Sequence, residues 1–238
     1  MSGKSGPDIV ENGLVLCLDA ANKLSYPRTG TAWTDLSGNS YNGTLTNGPT
    51  FSAGNMGSIS FDGTNDYIDT ANSTGLNFTN TTGTISIWFK TSTSFPSQAF
   101  LIAKNMDSTG GWGMLIDSTG TPYFNTKLSG GGADAFNRYA TVSCTNGIWH
   151  NVVSVFTTST TVTANNVASM YIDGSLSNGA SSQISVYGGN TSSTVQIARR
   201  SSGNYYSGNI SNVQIYNRSL TAAEVLQNYN ATKSRFGR

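Results

Sequence analysis

The carboxylates are the first residues to test for chemistry, because hydrolysis of a glycosidic bond needs two carboxyl groups at a defined separation. The chain has two glutamates, Glu11 near its start and Glu224 in a helix-capping pattern. Asp62, Asp66 and Asp69 come closest to an acidic cluster. The glycine after Asp62 is typical of a turn, however, so this cluster is interpreted as a turn and the strand that follows it.

His150 is the one histidine and the natural candidate for a general base. A serine-type triad also needs an activated nucleophile and an acid that orients the imidazole, and no residue pattern identifies either. The alternative is that His150, beside Trp149 in an apolar run, packs in a strand with one ring nitrogen hydrogen-bonded. The sequence therefore predicts a protein that is not an enzyme and has no catalytic residues.

Asp35, Ser37 and Asn39 place oxygen-bearing side chains at alternate positions of a glycine-containing loop. Such oxygens suit a hard cation such as calcium. The ordinary alternative is a turn stabilised by the Asp35 side chain. Asp19 joins such a metal site only if the first strand ends close to the loop. Calcium is the one cofactor that the sequence suggests.

Sugars stack on exposed aromatic rings, and three aromatic residues are candidates for such contacts. Trp112 lies in a Gly-Gly-Trp-Gly segment, and Tyr205 and Tyr206 form a pair. The alternative is that these rings pack in the interior. The hypothesis from the sequence is a glycan-binding site that includes one or more of the three.

The charge of the chain argues against nucleic acid as a partner. Charged residues make up 11% of the chain, and 13 basic and 12 acidic side chains give a formal charge of +1. A nucleic-acid-binding protein needs a basic surface to neutralise phosphates. The local excesses are Arg199-Arg200 and the C-terminal Lys233, Arg235 and Arg238, which are interpreted as solvated ends.

Cys17 and Cys144 are the two cysteines, and neither lies in a metal-type cluster. We expect two unpaired, buried thiols. The first residues lack the apolar core of a signal peptide, and no apolar run approaches the length of a membrane span. The expectation is a protein made in the cytoplasm and not inserted into a membrane.

The elements that must position these residues are short strands separated by polar turns. Thirteen runs have strand-like patterns: 13–19, 57–62, 66–70, 83–90, 99–104, 112–117, 121–127, 137–144, 149–157, 167–173, 184–187, 193–199 and 208–217. Their spacing predicts an all-β antiparallel sandwich with Trp88 and Trp149 packed inside. Thr221 and Glu224 form a capping box before a helix over about 222–230.

The domain prediction has three parts. Residues 1–12 form a flexible N-terminal arm, 13–232 form one sandwich domain, and 233–238 form a basic C-terminal tail. The bias toward serine, threonine, asparagine and glycine runs evenly along the chain, with no change in composition that would indicate a linker.

Four segments together resemble the laminin G-like domains of the concanavalin A-like superfamily. They are Phe-Asp-Gly-Thr-Asn-Asp-Tyr-Ile (61–68), Thr-Ile-Ser-Ile-Trp-Phe-Lys (84–90), the Trp-His to Asp-Gly pair (149–174), and the run from Tyr206 to Glu224. The resemblance implies a two-sheet jelly roll with one concave sheet. Relatives often carry an acidic pair where this chain has Ser211 and Asn212, and the resemblance implies that an acid there helps to hold a structural calcium.

The opening segments 13–22, 33–39 and 42–44 are similar to versions of this domain found in virion proteins of tailed bacteriophages. That resemblance implies a non-enzymatic virion structural protein, a decoration or attachment module of capsid or tail. Its partners would be other virion proteins and copies of itself, and its location the virion surface. The rival is a carbohydrate-binding or adhesion module, such as a receptor-binding lectin of a phage tail or a cell surface.

Overall fold

The computed structural model describes residues 8–70, 74–91, 98–106, 110–128, 133–189, 193–200 and 203–238. These residues form seventeen strands and one α-helix. The strands are β1 (Leu14–Asp19), β2 (Ala32–Trp33), β3 (Gly43–Thr46), β4 (Thr50–Ser52), β5 (Ser58–Asp62), β6 (Tyr67–Thr70), β7 (Thr82–Thr91), β8 (Ala99–Lys104), β9 (Trp112–Ile116), β10 (Pro122–Lys127), β11 (Asp134–Tyr139), β12 (His150–Thr157), β13 (Val167–Ile172), β14 (Ser175–Leu176), β15 (Ser181–Gln183), β16 (Val195–Ile197) and β17 (Ser207–Tyr216). The helix is α1 (Ala222–Thr232), and the predicted all-β class is confirmed.

The strands form two antiparallel sheets. The eight-stranded sheet has the order β14-β13-β12-β7-β17-β5-β4, with β1 also paired to β17. The nine-stranded sheet has the order β15-β11-β10-β9-β8-β16-β6-β3-β2. Eight of the fifteen neighbouring pairs join strands that are not consecutive in the sequence, as expected of a jelly roll.

The main core lies between the two sheets. Alternate residues of β7 point into it, and Ile85, Ile87 and Phe89 are fully buried. From the other sheet, Phe124 and Trp112 belong to the same apolar cluster. Because side chains alternate across a strand, the residues between these face outward, away from the core.

Helix α1 covers the outer face of the eight-stranded sheet. The predicted capping box is present: the Glu224 amide donates to Thr221 Oγ1 at 3.3 Å, and the Thr221 amide donates to Glu224 Oε2 at 2.8 Å. Arg218 donates twice to the same carboxylate, at 3.0 and 2.6 Å. Val225 of the helix then packs on Val153 of the sheet.

The C-terminal residues pack against the same outer face, so the interpretation of them as a solvated end is wrong. Phe236 is buried in one cluster with Trp88 and Trp149. Arg235 pairs with Asp19 at 2.7 Å. Both tryptophans are thus buried, but under the chain end rather than between the sheets, because Ile87 and Phe89 on either side of Trp88 face the core.

The N-terminal segment is attached to the helix from residue 8 onward. The Val10 amide donates to Asn228 Oδ1 at 2.8 Å, and the Tyr216 hydroxyl donates to the Val10 carbonyl at 3.0 Å. The flexible-arm prediction is therefore wrong for residues 8–12. Residues 1–7 lie outside the described part of the chain.

Two strand predictions are misplaced. The run at 137–144 is a strand only at its start, since β11 spans Asp134–Tyr139, and the pairing at 181–183 precedes the predicted 184–187. The short strands β2, β3, β4 and β14 have no periodic pattern long enough to detect. Cys17 and Cys144 are buried and free, as predicted.

Candidate functional site on the nine-stranded sheet

The outer face of the nine-stranded sheet lies on the side of the sandwich opposite helix α1 and the described chain ends. Cross-strand pairing places one line of residues across it. In order from β11 to β3 they are Asn137, Asn125, Gly113, Ala103, Gln196, Asp69 and Thr44. Two amides occupy the β11 end of this line, an amide, a carboxyl and a hydroxyl group occupy the β3 end, and two small residues occupy its middle. Of the residues in this line, Asp69 and Thr44 are the ones accessible to solvent.

One end of the line carries a group we call the Asp69 cluster, made of Tyr67, Asp69, Thr194, Gln196 and Arg199. Gln196 Nε2 donates to Asp69 Oδ1 at 3.0 Å. Arg199 lies 3.7 Å from Asp69 Oδ2, and its guanidinium carbon is 3.3 Å from the centre of the Tyr67 ring. Tyr67, Asp69 and Arg199 are partly exposed, so the cluster presents charge and an aromatic edge to solvent.

The other end carries the Asp134 cluster, made of Asn125, Lys127, Asp134 and Asn137. Lys127 Nζ donates to Asp134 Oδ1 at 2.6 Å, and Asn125 Nδ2 donates to Asn137 Oδ1 at 2.6 Å. Burial opposes ionisation of Asp134, but hydrogen bonds from Lys127 and its neighbours outweigh it and hold the pKa below its usual value. Asn125 is buried, and its Oδ1 has no hydrogen-bond partner among the described residues.

Between the two clusters the outer face is apolar. Phe100 and Leu115 are buried there in one cluster with Tyr123. Tyr123 also stacks on Tyr139, with ring centroids 4.4 Å apart. Gly113 leaves space for Phe100, since a Cβ at that position would lie 3.1 Å from the ring. The face therefore alternates polar, apolar and polar zones.

The acids of the two clusters are too far apart for glycoside hydrolysis. Asp69 on β6 and Asp134 on β11 are separated by five strand spacings. At about 4.8 Å per spacing, that is about 24 Å along the sheet. Glycosidase carboxyl pairs lie roughly 5 to 10 Å apart. The arrangement can hold polar groups of a ligand but cannot act on one glycosidic bond from both sides.

Two of the three aromatic residues suggested from the sequence are buried, which corrects that part of the prediction. Trp112 is fully buried, and its Nε1 donates to the Leu76 carbonyl at 2.9 Å. Tyr206 is also fully buried and packs against Phe61. Neither ring has a face for a sugar. Tyr205 remains partly exposed.

The Asp35 loop has the geometry of the turn that was the alternative to a metal site. Asp35 Oδ1 accepts from the Cys17 and Ser37 amides at 2.8 and 2.9 Å, and Oδ2 accepts from the Tyr41 amide at 3.1 Å. Asn39 Nδ2 donates to a backbone carbonyl. Backbone donors therefore occupy the Asp35 carboxylate, which corrects its assignment as a calcium ligand.

Asp19 pairs with Arg235 at 2.7 Å. Among the described residues, no group of three or more His, Cys, Asp or Glu side chains could hold a metal ion. No helix in the same part of the chain is long and apolar enough to cross a membrane.

His150, the first residue of β12, links this strand to neighbouring turns. Its Nδ1 contacts Asp173 Oδ2 at 2.8 Å and its Nε2 contacts Asn146 Oδ1 at 3.1 Å, so both ring nitrogens are engaged rather than the one predicted. Asp173 Oδ1 accepts from the Asn151 amide at 2.9 Å. This geometry fits the packing interpretation of the histidine.

In the acidic turn before β6, the carboxylates also accept hydrogen bonds from backbone amides. Asp62 Oδ1 accepts from the Thr64 amide at 2.7 Å, and Asp66 Oδ2 accepts from the Asp62 amide at 3.1 Å. The structural interpretation of Asp62 and Asp66 fits these contacts. Asp69, the third member, belongs instead to the outer face of the sheet.

Sequence reasoning missed Gln196, Asn125 and Arg199 as site residues. The Asn and Lys positions in the Pro-Tyr-Phe-Asn-Thr-Lys segment of β10 alternate with core positions, which indicates an outward polar face. No local pattern shows that β6, β16, β8, β9, β10 and β11 are neighbours, however. That juxtaposition comes from the tertiary fold.

A laminin G family model, described as the concanavalin A-like lectin/glucanases superfamily, matches residues 62–226. The match covers more than half of the chain. The chain belongs to this superfamily. The family resemblance predicted from the sequence is confirmed, and the two sheets have the layout expected of a superfamily member. No curated protein matches the sequence significantly.

Solved structures share the fold of this superfamily member at low sequence identity. The binding domain of Paraclostridial Mosquitocidal Protein 1 has a TM-score of 0.67 and 19% identity, with 93% of this chain and 52% of that chain covered. The binding domain of botulinum neurotoxin DC in complex with SialylT has a TM-score of 0.66 and 13% identity, with 93% and 52% covered. The chain therefore spans about half the length of these toxin binding domains.

A third structure matches over nearly its whole length. Domain 4 of AbnA, a GH43 extracellular arabinanase from Geobacillus stearothermophilus, in complex with arabinotriose, has a TM-score of 0.65 and 18% identity. The match covers 91% of this chain and 98% of that domain. At these identities the likeness establishes the fold.

Proposed function

We propose that this protein is a non-enzymatic carbohydrate-binding module that holds a glycan on the outer face of its nine-stranded sheet. The observation that carries the proposal is the asymmetry of the sandwich. Helix α1 and both described chain ends cover the outer face of the eight-stranded sheet. The opposite face carries the Asp69 and Asp134 clusters, joined by an apolar zone.

Sugar recognition requires this combination of groups. Sugar hydroxyls donate to and accept from carboxylate and amide groups, while the apolar faces of sugar rings pack on aromatic or aliphatic side chains. On the outer face Asp69 is a partly exposed polar partner, and Tyr67 and Tyr139 are partly exposed aromatic rings. Two structural neighbours have sugar-type molecules named in their descriptions, SialylT and arabinotriose, which supports this ligand class.

The proposal that the module is not an enzyme rests on the arrangement of its acids. The two outer-face carboxylates are separated by five strand spacings, and Glu224 is committed to capping α1. Incubation with the best-bound polysaccharide should release no reducing ends. Release that depends on the intact chain would contradict this part of the proposal.

A glycan array probed with the full chain tests the binding function. A set of related glycans should bind, and Gln196→Ala should weaken binding to the best of them by about fivefold to tenfold, the effect of losing about one hydrogen bond. Gln227→Ala is the matched control, because Gln227 lies on α1 at the opposite side of the molecule. The absence of any bound glycan, or equal losses for both variants, would contradict the proposal.

We further propose that the module is displayed on a bacteriophage particle as one of several copies attached to other virion proteins. The support is the resemblance of segments 13–22, 33–39 and 42–44 to phage virion domains. Mass spectrometry of purified virions tests it. Because residues 8–12 are bonded to the body of the domain, the matched deletion is 2–7; retention of that variant on particles at wild-type level would contradict attachment through the N-terminal arm.

A further inference from the structure

A β-bulge places the side chains of the Asp134 cluster on one face of the sheet. Asp134 and Asn137 are three residues apart, so a regular strand would point them to opposite faces. The register of β10 and β11 shifts between Thr126 and Lys127, so that Lys127 lies opposite Asp134 while Asn125 lies opposite Asn137. Asp134 therefore joins Asn137 on the outer face. Bulges that redirect a side chain in this way are over-represented next to active sites.

The Asp134 carboxylate bridges an amine and an amide. Its Oδ1 accepts from Lys127 Nζ at 2.6 Å, and its Oδ2 accepts from Asn137 Nδ2 at 3.2 Å. Because the amide nitrogen of Asn137 faces the carboxylate, its Oδ1 faces Asn125, whose Nδ2 donates to it at 2.6 Å. Asn125 and Asn137 are buried, and the Lys127 side chain is 12% exposed. The amine and the amide are thus held side by side on one carboxylate.

Each of these groups has a role in transfer of an acyl group from one nitrogen to another. A lysine amine is a nucleophile once it has lost its proton, and the Asp134 carboxylate, the ion-pair partner of Lys127, is placed to take that proton. The hydrogen bond from Asn125 stabilises the negative charge that develops on Asn137 Oδ1 when Cγ is attacked. Asp134 also contacts Asn137 Nδ2, so it can pass protons to the leaving nitrogen.

We propose that Lys127 and Asn137 join in an isopeptide bond within the folded chain. Nζ of Lys127 forms a bond to Cγ of Asn137, and the Cγ–Nδ2 bond breaks. Starting from the lysine ammonium, Asp134 relays two protons from Nζ to Nδ2, so that one ammonium ion leaves and the Asp134 carboxylate is regenerated. The reaction consumes no oxidant, reductant or second substrate.

The strand pairing makes this cross-link sterically accessible. Lys127 is two positions along β10 from Asn125, which lies directly opposite Asn137. Lys127 and Asn137 are therefore diagonal neighbours, a separation that long side chains span. Holding the reacting groups together in this way converts a slow reaction between two molecules into one within a single chain. The bond would fix β10 to β11, whether or not a glycan binds the outer face.

A second lysine–asparagine pair serves as an internal comparison. Lys90 on β7 and Asn209 on β17 are directly opposite each other. Asn209 Nδ2 donates to Ser58 Oγ at 3.3 Å, and among the described residues no carboxylate is hydrogen-bonded to either member of the pair. Without a group to relay protons, this pair should not react. Lys90→Arg is therefore the matched control for Lys127→Arg.

Intact-mass spectrometry of the full chain tests the proposal. After incubation at pH 8, the native protein should weigh about 17 Da less than its sequence, the mass of one ammonia. Lys127→Arg, Asn137→Ala and Asp134→Asn should each have the full mass of their own sequence, and Lys90→Arg should show the same loss as the native protein. Lys127→Arg keeps a cation beside Asp134, and thermal melting of each variant verifies that it is folded.

Trypsin digestion locates the bond. Trypsin does not cut after an acylated lysine, so residues 105–138 should remain one fragment that carries the whole loss of mass. Asn-Gly pairs elsewhere in the chain can also lose ammonia by forming succinimides, but mild base hydrolyses a succinimide and leaves an isopeptide bond intact. A native chain of full mass, a loss that mild base reverses, or a loss that Lys127→Arg or Asp134→Asn leaves unchanged would overturn the proposal.

Discussion

The phenyl ring of Phe236 lies nearly parallel to the indole of Trp88, with centroids 4.1 Å apart and 20° between their planes. Tyr229 stacks on the same indole at 5.6 Å. These rings extend the layer formed by α1 down to the third-last residue of the chain. The C-terminal segment is therefore part of the cover over the eight-stranded sheet, on the side of the sandwich opposite the candidate site.

Phe236→Ala should reduce the free energy of unfolding by about 3 kcal/mol, because it removes a buried ring and leaves space beside Trp88. Denaturant unfolding followed by tryptophan fluorescence measures the change. Ser234→Ala, at an exposed position two residues earlier, is the control and should stay within about 0.5 kcal/mol of the native protein. A loss below about 1 kcal/mol for Phe236→Ala would contradict the assigned packing.

Asp35→Ala should destabilise the fold by about 3 kcal/mol, since it leaves the Cys17 and Tyr41 amides without their acceptor. Asp35→Asn keeps one oxygen and should cost less. Because backbone donors occupy the carboxylate, excess calcium or a chelator should leave the melting temperature of the native protein unchanged. A rise in melting temperature with calcium that Asp35→Asn abolishes would instead restore the loop as a cation site.

Lowering the pH should reduce the stability of the fold, in part because the Glu224 carboxylate becomes protonated. The hydrogen bond from Arg218 and that from the Thr221 amide lower the Glu224 pKa from 4.5 to about 2. A lowered folded-state pKa stabilises the fold above the unfolded-state value, and that contribution is lost as the pH falls from 4.5 toward 2. The pair is solvent-accessible, so the effect should be below about 1 kcal/mol.

Unfolding curves at pH 5 and at lower pH, measured for native protein and Glu224→Gln, check the acid prediction. The difference in stability between the two proteins should shrink as the pH falls. Arg218→Gln should behave like Glu224→Gln, since it removes the partner. A difference that stays constant with pH would show that the ion pair does not set this dependence.

Both cysteines should be unreactive in the folded protein. Burial, and then nearby carboxylates, raise the pKa of the Cys17 thiol to about 12, and burial and Asp173 do the same for Cys144. Thiolate is the reactive form, so a disulfide reagent at pH 8 should label neither residue until denaturant is added. Ser234→Cys provides an exposed thiol that should react at once; rapid labelling of Cys17 would contradict its burial.

Much of the fold was predictable because its strands carry strong local signals. The run from Thr84 to Phe89 alternates and then becomes fully apolar, and Thr221 with Glu224 specifies the start of α1. The C-terminal cover could not be predicted, because Phe236 is one apolar residue among charged neighbours. Its partner Trp88 is more than a hundred residues away in the sequence, and the same pattern describes a solvated tail.

The candidate site was less predictable than the fold. Trp112 was a candidate as an aromatic residue between glycines and Tyr206 as half of a tyrosine pair, and both patterns also describe a packed core. Arg199 was noted only as part of a basic pair. Its position over Tyr67 and near Asp69 depends on the pairing of β16 with β6 and on the positive φ of Ala198, and neither feature has a local sequence signal.

The central claim is that a glycan binds the outer face of the nine-stranded sheet, and NMR mapping of an isotope-labelled chain tests it most directly. The chain is titrated with the tightest-binding oligosaccharide from the array, and backbone amide shifts are followed. The predicted result is a set of shifts on β6 and β16 around Asp69, Gln196 and Arg199. Shifts confined to α1 and the eight-stranded sheet would contradict the claim.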